Sequence, residues 1–286
     1  MWRGGVHQAI EIKEGLEVSD ATRTMASMTF QRFFRLYHPL GATTGTVANA
    51  STEFWHIYRL NRVKIPTHRK CQRRELPSRY FASMEAKWTA VAKKVAELHQ
   101  TGQPVLIGTD SVEASLSVAE ALRNEGLQFE LLNASAFAEE ARIVAKAGHF
   151  GAITIATNMA GRGTDIKPED RVLPLGGLFV IACSRMENKR VDQQLYGRAG
   201  RQGDPGMAQC FVSLEDKLLQ QRYSASFLSA AQSLIASRTP GSQLLAQHVV
   251  NKAQKRMEKN ARLQRESVLR SDKWMKESLT FSGSEI

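Results

Sequence analysis

Two short stretches hold the residues of this chain best suited to chemistry on a polyphosphate. The first is Ile153-Thr-Ile-Ala-Thr-Asn-Met-Ala-Gly-Arg-Gly-Thr-Asp-Ile166, in which Gly161 and Gly163 flank Arg162, with Thr164 and Asp165 next in line. Glycines at alternate positions let backbone approach a ligand closely and permit positive φ. The second, Gln194-Leu-Tyr-Gly-Arg-Ala-Gly-Arg-Gln-Gly203, sets Arg198 and Arg201 behind Gln194, on one helical face if the segment is helical. A guanidinium stays charged at physiological pH and offers a planar fork to two phosphate oxygens at once. Taken singly, the first stretch reads as well as a plain turn, and the second as a solvated basic helix, as either does as a phosphate site. In this order, and behind a buried strand, they point to the phosphates of a nucleotide.

The surrounding pattern must place them. Ile153 and Ile155 are β-branched and open a strand too short for a helix. Candidate strands are Val63–Ile65, Val105–Ile107, Phe129–Leu132, Ile153–Ala156, Phe179–Ala182 and Cys210–Ser213. Between them lie helical patterns at about Met84–His99, Val112–Asn124, Ala136–Ala147 and Lys189–Ala199. The first carries a stripe at Trp88, Val91, Val95 and Leu98, and turn residues such as Glu125-Gly126 separate the elements. Alternating short strands and helices predict an α/β fold, a mostly parallel sheet with helices on both faces. Ligands of such sheets collect beyond the carboxyl ends of the strands, where the loops following Ile107 and Ala156 lie.

Flanking segments differ. Residues 1–60 read as helix and loop, with helical patterns at His7–Glu14 and Ala26–Leu40. The second bears Phe30, Phe33, Phe34, Leu36 and Tyr37, more aromatic surface than one helix can hide without a partner. Gly41-Ala-Thr-Thr-Gly-Thr46 reads as a turn, since no Lys-Ser or Lys-Thr follows its second glycine as a phosphate cradle requires. Ser242 to about Leu279 reads as one long helix or two, with a thin apolar stripe at Ala246, Val250, Ala253, Met257, Ala261 and Val268. Nine basic residues face four acidic ones between Asn251 and Glu277; that is a solvated helix laid on its own domain, or a surface for acidic lipid or nucleic acid.

Composition narrows the class. With 286 residues, 42% hydrophobic and 23% charged, the chain suffices for one large or two ordinary domains. Its net charge of +11 favours anionic partners without choosing among nucleotide, nucleic acid and acidic lipid. Cys71, Cys183 and Cys210 are odd in number and widely spaced, which makes neither a disulfide framework nor a zinc pattern and suits a reducing cytoplasmic compartment. The seven histidines are scattered, so no metal held by the chain alone is expected. The longest apolar run, Leu178 to Cys183, is far short of the roughly 20 residues of a membrane span. No apolar signal-peptide core follows Met1. The expectation is a cytoplasmic chain, with at most peripheral contact on the inner face of the plasma membrane.

At these motifs the chain resembles the SecA family, ATPases that drive preproteins through the bacterial Sec channel. The resemblance is carried by Gly102–Thr109, Leu132-Asn-Ala134, Thr154–Ile166, Gly176-Gly-Leu178, Asp192, Gln194, Gly197–Gly206 and Ser213-Leu-Glu-Asp216, in this order. Trp2–Gly15 and Phe33–Tyr37 with Thr44-Gly-Thr46 look like the end of that family's first motor domain, and Ala253–Glu258 with Asn260 like the start of its scaffold helix. The resemblance therefore implies a remnant of the first motor domain at 1–60, a RecA-like second motor domain at 61–220 and a truncated helical scaffold at 221–286. It implies that Asp165 contacts ATP within the Gly161, Gly163, Thr164 loop, that Arg162 and Arg201 are arginine fingers, and that Arg198 and Gln194 lie close to the phosphates. Developing charge on a transferred phosphoryl group suits such arginines, worth on the order of 10³–10⁵ in rate.

Departures matter as much. The family places its glycine cradle and its Mg²⁺-holding acid upstream of the matching residues, and neither motif occurs in this sequence. ATP hydrolysis by the chain alone is therefore not expected; the P-loop would come from another chain or a missing upstream segment. Met186 stands where the family commonly has His, and Ile166-Lys-Pro-Glu-Asp170 lacks the expected Leu-Gly. Two rival readings remain at this point: half of a superfamily 2 nucleic-acid helicase, which shares the Gly-Arg-Gly and Gly-Arg-x-Gly-Arg arrangement, and a non-catalytic binding module. Against the helicase, the similarity extends to His7–Gly15 and Leu132–Ala134, outside the shared motifs.

Overall fold

A computed structural model describes residues 5–20, 28–46, 50–132, 137–157 and 164–281, with backbone alone at 137–141 and 275–281. Its centre is a seven-stranded, wholly parallel sheet. The strands are β1 (Gln72–Glu75), β2 (Arg79–Phe81), β3 (Val105–Thr109), β4 (Glu130–Leu132), β5 (Ile153–Thr157), β6 (Leu178–Ala182) and β7 (Pro205–Ser213). They run in the order β1-β7-β6-β3-β5-β4, and β2 continues the β1 edge along the far end of β7. Central strands are near-continuous apolar runs because both of their faces are covered. Val105 and Ile107 register with Ile153 and Ile155 on one side and with Phe179 and Ile181 on the other.

Those residues face α4 (Met84–Gln100) and α5 (Val112–Asn124), whose Val91, Val95, Val118 and Leu122 complete one core. Ser83 and Ser111 start these helices by accepting the amides of Ala86 and Ala114, the side-chain cap that satisfies otherwise orphaned donors. On the opposite face Leu106, Val180, Ala182 and Val212 meet α6 (Phe137–Lys146), α7 (Lys189–Tyr196), α9 (Ala225–Ala236) and α10 (Ser242–Phe281). Helices on both sides of a parallel sheet make this the RecA-like α/β architecture the sequence predicts. A single-turn helix, α8 (Lys217–Gln220), links β7 to α9. Remaining helices are α1 (Val6–Lys13), α2 (Phe30–Phe34) and α3 (Ser51–Tyr58). Arg265 of α10 grips Glu53 of α3 through Nε and Nη2, and Thr29 bonds Asp272, so this segment leans on the long helix.

Three expectations need correction. No strand forms at Val63–Ile65, where both apolar side chains are 80% exposed; the sheet edge is taken by β1 and β2. Within the described part of Ala26–Leu40 the aromatic helix is confined to Phe30–Phe34: Thr29 starts it by accepting Arg32 N, and Pro39 keeps it from extending through His38. Its rings stack on one another, Phe33 edge-on to both Phe34 and Tyr37, and stay exposed. Finally, α7 ends at Tyr196 and not at Ala199.

Candidate functional site

The first motif begins in β5 and, among the described residues, resumes at Thr164. Arg162, Gly161 and Gly163 lie outside the described residues; Thr164 and Asp165 lie within them. From the other side, α7 lies tight on the sheet. Gly108 makes that possible, since a Cβ there would sit 2.4 Å from Leu195 Cδ2. Beyond Tyr196 the chain turns through Gly197 to Arg201. Arg198 and Arg201 therefore stand on a turn, although Arg198 N still bonds Leu195 O at 3.0 Å. Gly200 closes the turn at φ +66°, where a Cβ would lie 2.7 Å from that of Arg73 on β1, so both backbone and space require glycine.

The two arginines reach adjacent residues. Arg198 Nη1 donates to the Thr164 carbonyl at 3.0 Å, and Arg201 Nη1 pairs with Asp165 Oδ1 at 2.7 Å. Arg201 Nε donates back to Gly197 O at 2.9 Å, which fixes the fork against its own turn. A cleft of about 580 Å³ opens between α6 and α7 at the carboxyl end of β5, lined by Thr157, Gln194, Arg198 and Arg201. Gly45 and Thr46, read from sequence as a plain turn, also reach this cleft, as does Arg73. Nothing in the polar run Gln72-Arg-Arg-Glu75 signalled that placement. The cleft thus gathers three guanidiniums, one of them held to Glu75 at 2.9 Å.

The donor set fits one side of a phosphate chain. A guanidinium has five N–H groups, and among the described residues those of Arg201 meet only Gly197 O and Asp165 Oδ1. Its remaining donors can take phosphate oxygens. What the set lacks is the other side: no Gly-Lys pair occurs anywhere in the sequence. Arginines can stabilise charge that develops in a transfer, whereas the cradle that grips the β- and γ-phosphates is a separate structure.

Behind the cleft sits a buried polar hub that the sequence did not disclose. Asp192, 1% exposed, accepts from Met186 N at 2.9 Å, Arg185 Nη1 at 3.2 Å and Gln254 Nε2 at 2.8 Å. Burial pushes its carboxyl above the usual range, and these donors pull against that. A second buried pair, Lys87 and Asp216, joins the start of α4 to the turn after β7 at 2.6 Å. Among the described residues no helix is long and apolar enough to cross a membrane.

The SecA P-loop domain model matches residues 70–171 and 167–236, and the SecA DEAD-like domain model matches residues 5–55. The protein translocase subunit SecA 2 of Bordetella avium (strain 197N) is 45% identical over 282 residues, covering 99% of this chain and 43% of that protein. The protein translocase subunit SecA of Caldicellulosiruptor saccharolyticus is 46% identical over 255 residues, covering 89% of this chain and 30% of its own length. The chain spans less than half the length of the curated relatives it matches. Among solved structures, the E. coli DEAD-box protein SrmB bound to regulator of ribonuclease activity A has 19% identity and a TM-score of 0.40 over 52% of this chain and 85% of that one. With SecA domain models matching more than half of its residues, this chain belongs to the SecA family.

Proposed function

We propose that the chain is the arginine-bearing motor half of an ATP-driven protein translocase. In this reading residues 1–60 are the end of a first motor domain, 61–220 the second motor domain and 221–286 the start of the scaffold. ATP and its Mg²⁺ are held by a P-loop domain on another chain or on an upstream segment. Arg201, with Arg162 and Arg198, supplies positive charge to the γ-phosphate, while Asp165, Gln194 and the Gly161–Thr164 loop border the nucleotide. The Sec channel and preproteins are the partners, at the cytoplasmic face of the bacterial plasma membrane, where acidic lipid suits the basic α10. The observation that carries the reading is the convergence of Arg198 and Arg201 on Thr164 and Asp165 beside one cleft.

The chemistry follows from donor geometry. The Gly197 carbonyl fixes Arg201 Nε, so the fork need not be ordered when charge builds on the transferred group. Asp165 pairs with the same guanidinium; exchange of that carboxylate for phosphate oxygen would couple nucleotide arrival to the loop after β5. ATP turnover by the chain mixed with a P-loop half from a relative tests this. The mixture is expected to hydrolyse ATP and the chain alone is not. Arg201→Lys, which cannot span Gly197 O and a second acceptor with one planar group, is expected to lower kcat at least 10²-fold. Turnover by the chain alone, or full activity of Arg201→Lys in the mixture, refutes the proposal.

A further inference from the structure

We infer that Gln254 of α10 is a positioning residue for Arg198 and Arg201, holding α7, and through it the arginine turn, in register with Thr164 and Asp165. Its catalytic consequence rests on the function proposed above; its structural consequence does not. The long helix grips the first turn of α7 at two points. Glu258 Oε1 accepts Lys189 N at 2.7 Å, placing a carboxylate at a helix N-terminus where the backbone dipole favours it. Gln254, four residues earlier and so on the same face of α10, donates Nε2 to Asp192 Oδ2 at 2.8 Å and to Met186 O at 2.9 Å. One amide thereby ties α10 to α7 and to the loop that precedes it.

From Asp192 the helix runs about 6 Å to Tyr196 and enters the arginine turn without a break. Arg198 N bonds Leu195 O, and Gly197 O holds Arg201 Nε. Leu195 is seated over Gly108, so α7 has little room to tilt into the sheet. A displacement of α10 must break the Gln254–Asp192 bond or carry α7 along. In the second case Arg198 and Arg201 shift relative to Thr164 and Asp165, and a misplacement of about 1 Å can cost on the order of 10² in rate. The other titratable groups around Asp192 are Arg185 from the loop, Tyr196 of α7 and Cys210 of β7, with Tyr80 of β2 beside Arg185.

Gln254→Glu tests the inference, because it sets a second carboxyl against Asp192. Two carboxyls in contact resist joint ionisation; one shared proton restores the bond to Asp192, leaving only the Met186 carbonyl without its donor, and its loss makes the pair repel. In the chain alone, amide-exchange protection over Gln193–Arg198 is expected to stay within about threefold of wild type at pH 6 and to fall at least tenfold at pH 8.5, with the amides of Val105–Thr109 unchanged. With the P-loop half and ATP, kcat is expected to fall at least tenfold at pH 8.5 with KM within about threefold, and to recover at pH 6. Wild-type protection and kcat at both pH values overturn the inference. If the Val105–Thr109 amides also lose protection, Glu258→Ala decides instead: this surface change is expected to lower protection of Gln193–Arg198 about two- to fivefold, and no change overturns the inference. Absence of ATP turnover by the wild-type mixture would sink the proposed function alone, since exchange in the isolated chain still judges Gln254.

Discussion

Replacing Lys87 by Met should leave a pH signature that identifies Asp216 as the buried partner. The two side chains are 1% and 5% exposed, and Lys87 Nζ donates to Asp216 Oδ1 at 2.6 Å and to the Cys183 carbonyl at 2.9 Å. Asp216 Oδ2 also accepts Ser213 N at 3.1 Å. Burial pushes this carboxyl up to about 6, the nearby ammonium only partly offsetting it. The folded state therefore holds a proton that the unfolded chain releases near pH 4, and the stability from that proton is lost as pH rises to about 6. Without Lys87 only the Ser213 amide opposes the burial, and the carboxyl stays protonated to a higher pH. Between about pH 4 and 6 the variant and the wild type then lose stability in parallel. Above about 6 the wild type levels off while the variant continues to lose about 1.4 kcal/mol per pH unit. The difference should therefore widen by roughly 3 kcal/mol from pH 6 to 8, within the 3–5 kcal/mol expected when one partner of a buried pair is removed. Urea midpoints at pH 5, 6, 7 and 8 measure it. The double variant Lys87→Met, Asp216→Asn should remove the extra slope, because no carboxyl remains to titrate. Parallel curves for Lys87→Met and wild type from pH 6 to 8 would refute the reasoning.

Two further outcomes follow from single sites. Gly200→Ala meets both a left-handed backbone and the Cβ of Arg73 at 2.7 Å, so a loss of about 1–3 kcal/mol in urea unfolding is expected; an unchanged midpoint would mean that the turn relaxes freely. Of the three thiols only Cys71 is exposed, while burial raises Cys183 and pushes Cys210 up to about 12. An aromatic disulfide reagent at pH 8 should label one cysteine in the folded chain and three in urea, and rapid labelling of Cys210 without urea would contradict the fold.

How much of this was legible depended on where each signal is stored. Strands β3, β5 and β6 announce themselves because a strand covered on both faces must be apolar along its whole length, and α4 through its stripe at Trp88, Val91, Val95 and Leu98. The edge strands β1 and β2 carry no such mark. Gln72–Glu75 is wholly polar, Pro77 stands between the two segments, and their pairing is dictated by β7 more than 120 residues away. Polar residues and proline are what an exposed edge tolerates, so the features that suit the edge also conceal it. Val63–Ile65 shows the converse, β-branched residues with no sheet position left to fill. The serines and alanines of α9 blur the contrast between its faces and hide it in the sequence, although Ser224 caps it.

The site divides along the same line. That Arg198, Arg201 and Asp165 belong together is legible only from the two stretches taken in order, and the structure joins them through Thr164 and Asp165. Asp192 was readable only as a motif residue, since its neighbours Val191 and Gln193 do not reveal that it is buried. Its burial is set by Gln254, sixty-two positions later and on a helix whose sequence looks merely basic and solvated. A chemical group that meets the ligand must be distinctive in itself. A group that aims it needs only the right neighbour, and that neighbour is fixed by packing. The arginines can therefore be found from their own spacing, whereas what holds them in place is found only by following α7 back to the long helix it rests on.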